Sequence, residues 1–286
     1  MENVLPFARV ARFPFKNQSV SIEHYENFPV ASLLLPASER APVAAIYRFA
    51  RSADDFADEG ELAAAERLAR LDAYRAGLRR IARGEAPDEP LFAELGRVVR
   101  ECGLPLEPFH DLLDAFAQDV LKPRYADFGE LLEYCRRSAN PVGRLLLHLF
   151  RAATPENVAQ SDAVCSALQL ANFWQDVALD YAKGRIYLPQ DEMARFGVSE
   201  AHIAGRRCND AWRALLKFQV GRTREMFLGG APLGRRLPGR IGLEIRATVQ
   251  GGLRVLDKLG AARFDVFRRR PVLKWYDWPL LLWRAL

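Results

Sequence analysis

Residues 168–183 read Leu-Gln-Leu-Ala-Asn-Phe-Trp-Gln-Asp-Val-Ala-Leu-Asp-Tyr-Ala-Lys, and Gln169, Asn172, Asp176 and Asp180 fall at i, i+3, i+7 and i+11. That spacing is a single line along one α-helix, which Lys183 extends at i+14. Leu168, Phe173, Trp174, Val177, Ala178 and Leu179 make the rest of the segment strongly apolar. A helix so apolar is expected to be buried, which brings two carboxylates into the interior. Carboxylates there must be paired or hold a metal, because an isolated buried charge costs several kcal/mol or more.

The same helical period governs nearly every segment between Gly and Pro punctuation. Helices are expected over about 20–35, stopped by Pro36, and from a Ser38 cap to about residue 59. Others are expected over about 61–84, 89–102, 106–121, 128–136, 139–152, 157–182, 209–228 and 240–265. Breaks are expected at 184–189 and 229–239. Sustained strand alternation, an internal repeat and a domain-splitting linker are all missing from the sequence, so one all-α domain is expected over residues 1–286. No Gly-x-Gly-x-x-Gly follows a strand and no P-loop string occurs. Cys102, Cys135, Cys165 and Cys208 lie at least 30 residues apart, which argues against a zinc site or disulfide framework and suits a reducing cytoplasm. The start lacks signal-peptide character, and no apolar run reaches the roughly 18–20 residues of a membrane span. The net charge of +5 suits an anionic ligand or an acidic membrane surface and does not by itself argue for nucleic acid.

A second stripe lies in Tyr-Arg-Phe-Ala-Arg-Ser-Ala-Asp-Asp-Phe-Ala-Asp, where Tyr47, Arg51, Asp54 and Asp58 share one helical face. Alone, it equally fits a solvated face with an Arg51–Asp54 pair. Two carboxylate-bearing helices more than a hundred residues apart can instead face each other across a bundle, a known way to build a metal site. The donors are oxygens only, which selects Mg²⁺, an ion that keeps several waters and is completed by substrate phosphates. With Arg51, Lys183 and Arg185 nearby, the set reads as a diphosphate site.

These strings resemble the squalene/phytoene synthase family, the head-to-head branch of the trans-isoprenoid synthases. Arg51-Ser-Ala-Asp54-Asp55-Phe-Ala-Asp58 is similar to its first aspartate-rich motif, and 172–180 followed by Lys183-Gly-Arg-Ile-Tyr-Leu-Pro189 to its second. Tyr134 to Gly143 resembles the small-residue segment between them, and 28–35 the helix that opens the prenyl pocket. The resemblance covers about 20–270 and implies an isoprenoid-synthase-type helical bundle with a central active-site cavity. It implies Mg²⁺ on Asp54, Asp55, Asp58, Asn172, Asp176 and Asp180, and diphosphate contacts from Arg51, Lys183, Arg185 and Arg269. Phe28, Tyr47, Gln169 and Gly143 match prenyl-pocket positions. Asp54, Asp58, Asp176, Asp180, Tyr134 and Gln175 form the expected catalytic set.

His24 to Ser32 and 172–176 are most similar to the hydroxysqualene-forming branch of bacterial hopanoid pathways. That branch ionises presqualene diphosphate and traps the cation with water, without NADPH, between a presqualene diphosphate synthase and a hydroxysqualene reductase. Relatives that condense two farnesyl diphosphates commonly carry Arg where this chain has Gln175, and some place Tyr at Gly252. The alternatives are condensation of two prenyl diphosphates to presqualene diphosphate, squalene or phytoene, and a non-enzymatic scaffold, against which the retained aspartates argue. The short Arg206–Arg207, Arg235–Arg236 and 268–270 patches lack the aromatic platform of an RNA binder. Residues 271–286 hold three of the five tryptophans beside Arg268 to Arg270 and fit either a lipid interface or a tail packed on the bundle.

Overall fold

The computed structural model describes residues 35–58, 62–85 and 87–286. The apolar segment around Trp174 lies in a 28-residue helix, α7 (Pro155–Ala182). Thr154 caps its start by accepting from the Asn157 amide, and Pro155 supplies a first-turn φ with no N–H to satisfy. Gly184, at φ 81°, turns the chain out of its end.

Before α7 run α1 (Ala37–Asp58), α2 (Ala64–Ala82), α3 (Pro90–Cys102), α4 (Glu107–Leu121), α5 (Phe128–Ser138) and α6 (Asn140–Leu149). After it come α8 (Gln190–Arg195), α9 (Glu200–Ala204), α10 (Asp210–Gly230), α11 (Leu233–Arg236), α12 (Gly239–Ala261) and α13 (Trp278–Ala285), the last preceded by a 3-10 turn at Trp275–Asp277. The fold is an all-α bundle. Ser38 lies inside the first turn of α1 rather than capping it, and its hydroxyl donates to Glu39. The helix expected over about 20–35 falls outside the described residues but for Leu35. Helix α12 stops short of 265 because Arg263 and Phe264 both take positive φ and fold the chain back; the Trp212 indole holds the Phe264 carbonyl at 2.9 Å.

The core has two main parts. One gathers α1 to α4 with Leu145 and Leu149 of α6, around Phe49, whose ring meets Phe109 edge-on at 5.2 Å. The other joins α5, α7, α10 and α12 around the fully buried Trp174 and Trp212. Trp174 donates its indole N–H to Thr223 of α10 at 2.8 Å, so the α7–α10 contact is closed without an orphaned donor. Helix α4 contributes to both parts, through Phe116 on one side and Ala115 on the other, and α6 packs against both α1 and α7. The two polar stripes therefore sit on helices from opposite halves of the core.

A Cβ on Gly143 would collide with Ser161 and Cys165, so this glycine sets the approach of α6 to α7. Gly252 does the same for α12 against the Phe227 ring of α10.

Candidate active site

Residues 184–191 run beside 123–126. The Ile186 amide donates to the Pro123 carbonyl at 2.9 Å, and the Gln190 and Asp191 amides donate to the Tyr125 and Ala126 carbonyls at 3.0 Å. Arg124 ties this strap down by donating to the Gly184 carbonyl at 2.6 Å and to both Glu200 carboxylate oxygens. The strap delivers Tyr187 into an aromatic cluster with Tyr125, Tyr134 of α5 and Phe173 of α7. Phe173 and Tyr187 stack with centroids 3.8 Å apart.

Tyr134 is buried and donates its hydroxyl to Asp119 of α4 at 2.6 Å, and Tyr187 donates to the other Asp119 oxygen at 3.1 Å. Burial first, then the Asp119 charge, pushes the phenols of Tyr134 and Tyr187 well above their ordinary value. Both are therefore fixed as neutral donors near neutral pH. Asp119 was not among the expected residues. Its signal is a lone carboxylate continuing the apolar face Leu112, Ala115, Phe116 at helical spacing.

On α7, Gln169, Asn172, Asp176 and Asp180 are half-buried, and Lys183 beyond them is exposed. Thirteen other residues of this helix are buried, and α5, α6, α10 and α12 cover its remaining faces. The expectation of two carboxylates in the interior is thus corrected: Asp176 and Asp180 are half-buried, at the margin of the core. Asp176, with a side chain 12% exposed, takes both Nε and Nη2 of Arg270, a charge-assisted fork. The resemblance had pointed to Arg269, which is exposed; Arg270, next along the chain, is the arginine that reaches the stripe. The backbone reversal after α12 sets which arginine of the triplet points inward, and composition carries no trace of it.

Gln175 is 4% exposed and donates its amide to the Pro271 carbonyl, while its Oε1 is buried without a hydrogen-bond partner. The side chain thus meets the segment that carries Arg270. Arg185 is half-buried, and its amide closes on the Asp180 carbonyl at 2.8 Å.

On α1, Arg51 reaches Asp55 at 2.6 Å and Asp54 at 3.4 Å, all three side chains being partly exposed. Tyr47, one turn earlier, is half-buried, and burial raises its phenol pKa against the lowering effect of Arg51. Asp58 ends α1, and its side chain lies outside the described residues, as does Phe28. Gly143 meets α7 through a close helix contact. Among the described residues no three carboxylate, His or Cys side chains converge as a ready metal cage. Hollows of about 350 and 360 Å³, beside Lys217 and Glu133 respectively, contain no residue of either stripe. The described donors Asp54, Asp55, Asn172, Asp176 and Asp180 are nonetheless all oxygen and part-exposed, with Arg51 on the first stripe and Arg270 on the second, a chemistry that fits a hydrated Mg²⁺ carrying a polyphosphate.

The family model for squalene/phytoene synthase matches residues 22–277. The chain belongs to the squalene/phytoene synthase family. It is 38% identical over 222 residues to the hydroxysqualene synthase of Rhodopseudomonas palustris, covering 77% of this chain and 74% of that protein. It is 31% identical over 265 residues to the 15-cis-phytoene synthase of Synechococcus elongatus, covering 88% and 85%. The crystal structure of a squalene synthase from Alicyclobacillus acidocaldarius superposes with a TM-score of 0.79 at 38% identity, over 84% of this chain and 90% of that one.

Proposed function

We propose that this family member is a hydroxysqualene synthase: it ionises presqualene diphosphate and captures the resulting cation with water. The observation that carries the reading is position 175. Relatives that condense two farnesyl diphosphates commonly carry Arg there, whereas here a neutral amide precedes Asp176 and donates to the Pro271 carbonyl. A condensing enzyme must hold two diphosphates, so a missing fixed cation weighs against a second one. The similarity to hydroxysqualene synthases such as that of Rhodopseudomonas palustris supports the same reading.

Asp54, Asp55 and Asp58 on α1 and Asn172, Asp176 and Asp180 on α7 would hold Mg²⁺, which supplies Lewis acidity to the leaving oxygen when bound. Arg51, Lys183, Arg185 and Arg270 compensate the diphosphate charge as the C–O bond breaks. Phe173, Tyr187 and Tyr134 form a buried aromatic cluster of the kind that would stabilise a carbocation lodged against it. The hydroxyls of Tyr134 and Tyr187 donate to Asp119 and cannot act as bases near neutral pH. Water forms the new C–O bond, and its proton leaves to the released diphosphate or to solvent. Neither step consumes NADPH.

The phytoene synthase relative covers a larger share of this chain, which keeps condensation of two prenyl diphosphates as the second reading. The test supplies farnesyl diphosphate in one tube and presqualene diphosphate in another, with Mg²⁺ and no NADPH. Conversion of presqualene diphosphate to a C30 alcohol is expected, abolished by EDTA and cut by orders of magnitude in Asp54→Asn and Asp176→Asn. Rapid conversion of farnesyl diphosphate to a C30 diphosphate, with presqualene diphosphate untouched, would transfer the assignment to condensation.

A further inference from the structure

Residues 271–286 pack on the bundle by one side only. Leu281 and Ala285 of α13 are buried against α12, and Arg246 fastens the end of α13 by donating to the Ala285 carbonyl. Asp277, 1% exposed, anchors the turn before α13: it accepts from Arg254 at 2.9 Å, from the Lys274 amide at 2.8 Å and from the Lys258 ammonium. The same segment carries large apolar side chains open to solvent. Trp275 is 82% exposed, Trp283 74% and Trp278 48%, with Tyr276 and Leu282 beside them. The segment is therefore anchored to the bundle while its three tryptophans stay about half or more exposed. Of the ten large hydrophobic side chains exposed among the described residues, six lie within 275–286, so exposed apolar surface is concentrated in this short segment.

The chain around that segment is predominantly basic. From 268 to 286 the chain carries five basic residues against one acidic residue, the buried Asp277; Arg270 is paired with Asp176, which leaves Arg268, Arg269, Lys274 and Arg284 for the surface. Arg268 and Arg284 meet Asp265 and Asp257 only at 3.4 and 3.9 Å on the surface, contacts too loose and wet to cancel them. Tryptophans with a collar of arginine and lysine are the chemistry of the lipid–water interface, where indoles sit at headgroup depth and guanidinium groups meet anionic lipid phosphates. No helix among the described residues is long and apolar enough to cross a membrane, so attachment here would be from one side.

We infer that the face formed by Trp275, Trp278, Leu282 and Trp283 docks this protein in-plane onto an anionic lipid bilayer. The inference is independent of which prenyl diphosphate the enzyme consumes. Each basic residue at such a surface is worth about five-fold in binding, and the attraction is screened by salt.

Two of the five tryptophans, Trp174 and Trp212, are already fully buried, so a lipid-induced blue shift in emission reports the other three. The full chain is titrated with phosphatidylcholine vesicles with and without about 30 mol% phosphatidylglycerol. Expected are co-sedimentation and a blue shift with the anionic vesicles alone, weakened at least about ten-fold by raised salt. Trp275→Ser/Trp283→Ser and, separately, Arg268→Glu/Arg269→Glu should each weaken binding about ten-fold or more. The arginine pair lies on the surface, so that variant keeps the test meaningful if the tryptophan variant misfolds. Equal vesicle binding by wild type and both variants overturns the inference. So does a wild-type dimer that ignores vesicles and becomes monomeric in the tryptophan variant, which assigns the face to a second copy of the chain.

Discussion

A carboxylate that accepts from two phenols inside a protein commits both of them as donors, and at Asp119 that has a measurable consequence. Burial, reinforced by the Asp119 charge, raises the phenols of Tyr125, Tyr134 and Tyr187. Burial likewise raises the thiol of Cys135 and pushes that of Cys165 up to about 12. A folded-state pKa above the unfolded value means that the native protein keeps protons the unfolded chain has released. The stability from these groups is thus fully present below their unfolded values and lost as pH rises above them. Urea unfolding followed by circular dichroism should be flat near pH 7–8, decline from about pH 8.5 as unfolded cysteines ionise, and fall more steeply above about pH 10. Cys165→Ala should flatten the first part of that decline. A midpoint constant to about pH 10.5 would contradict the assigned burial. The aspartate stripes were legible in the sequence because their spacing is local. Asp119 and Arg270 were not singled out, since a lone carboxylate and one arginine of three acquire meaning only from what packs against them.

Helices as long as α7, α10 and α12 announce themselves by several turns of period, and the structure places them within a few residues of where the sequence predicts. Helices α8, α9, α11 and α13 span at most eight residues, too few for a period to stand out, and tertiary contacts fix them instead. Packing between elements is equally hidden. Gly252 shows in sequence only as a departure from the Tyr of some relatives; in space, the fully buried Phe227 ring occupies the volume a side chain there would need. An aromatic ring locked in a core cannot swing aside, so Gly252→Ala should destabilise by about 1–3 kcal/mol through overpacking. Phe227→Leu on its own opens a small void and also destabilises. Combined, the two should cost less than the sum of the single changes, with a coupling of about 0.5 kcal/mol or more in a double-mutant cycle. Strict additivity in thermal or urea unfolding would mean that α10 and α12 can shift apart freely at this contact.

At the scale of the whole molecule, the segment following α12 links the α7 stripe to the surface tail. Arg270 forks onto Asp176, Pro271 takes the Gln175 amide, the Val272 carbonyl takes the Lys258 ammonium at 2.9 Å, and Asp277 locks the far end to α12. Burial alone would raise the Asp277 pKa, but donors from Lys258, the Lys274 amide and Arg254 outweigh it and hold the carboxyl below its usual range. The anchor therefore stays ionised at neutral pH. Asp277→Asn keeps the shape and removes the charge, leaving Arg254 and Lys258 facing each other. The expected cost is about 3 kcal/mol, at the low end for losing one partner of a buried pair because both cations are partly solvated. The damage should be directional. Hydrogen-exchange protection should fall across residues 271–286 while α7 and α10 keep theirs, since their contact does not pass through the segment. Arg270 then loses the fixed backbone that aims it, and turnover of the prenyl diphosphate should drop about ten-fold, as misplacing a positioned group does. Arg270→Lys should lower turnover with the tail still protected, because a point charge cannot reproduce the fork on Asp176. If Asp277→Asn releases the tail and turnover is unchanged, then Asp176 alone holds Arg270 in place and the tail is mechanically separate from the site.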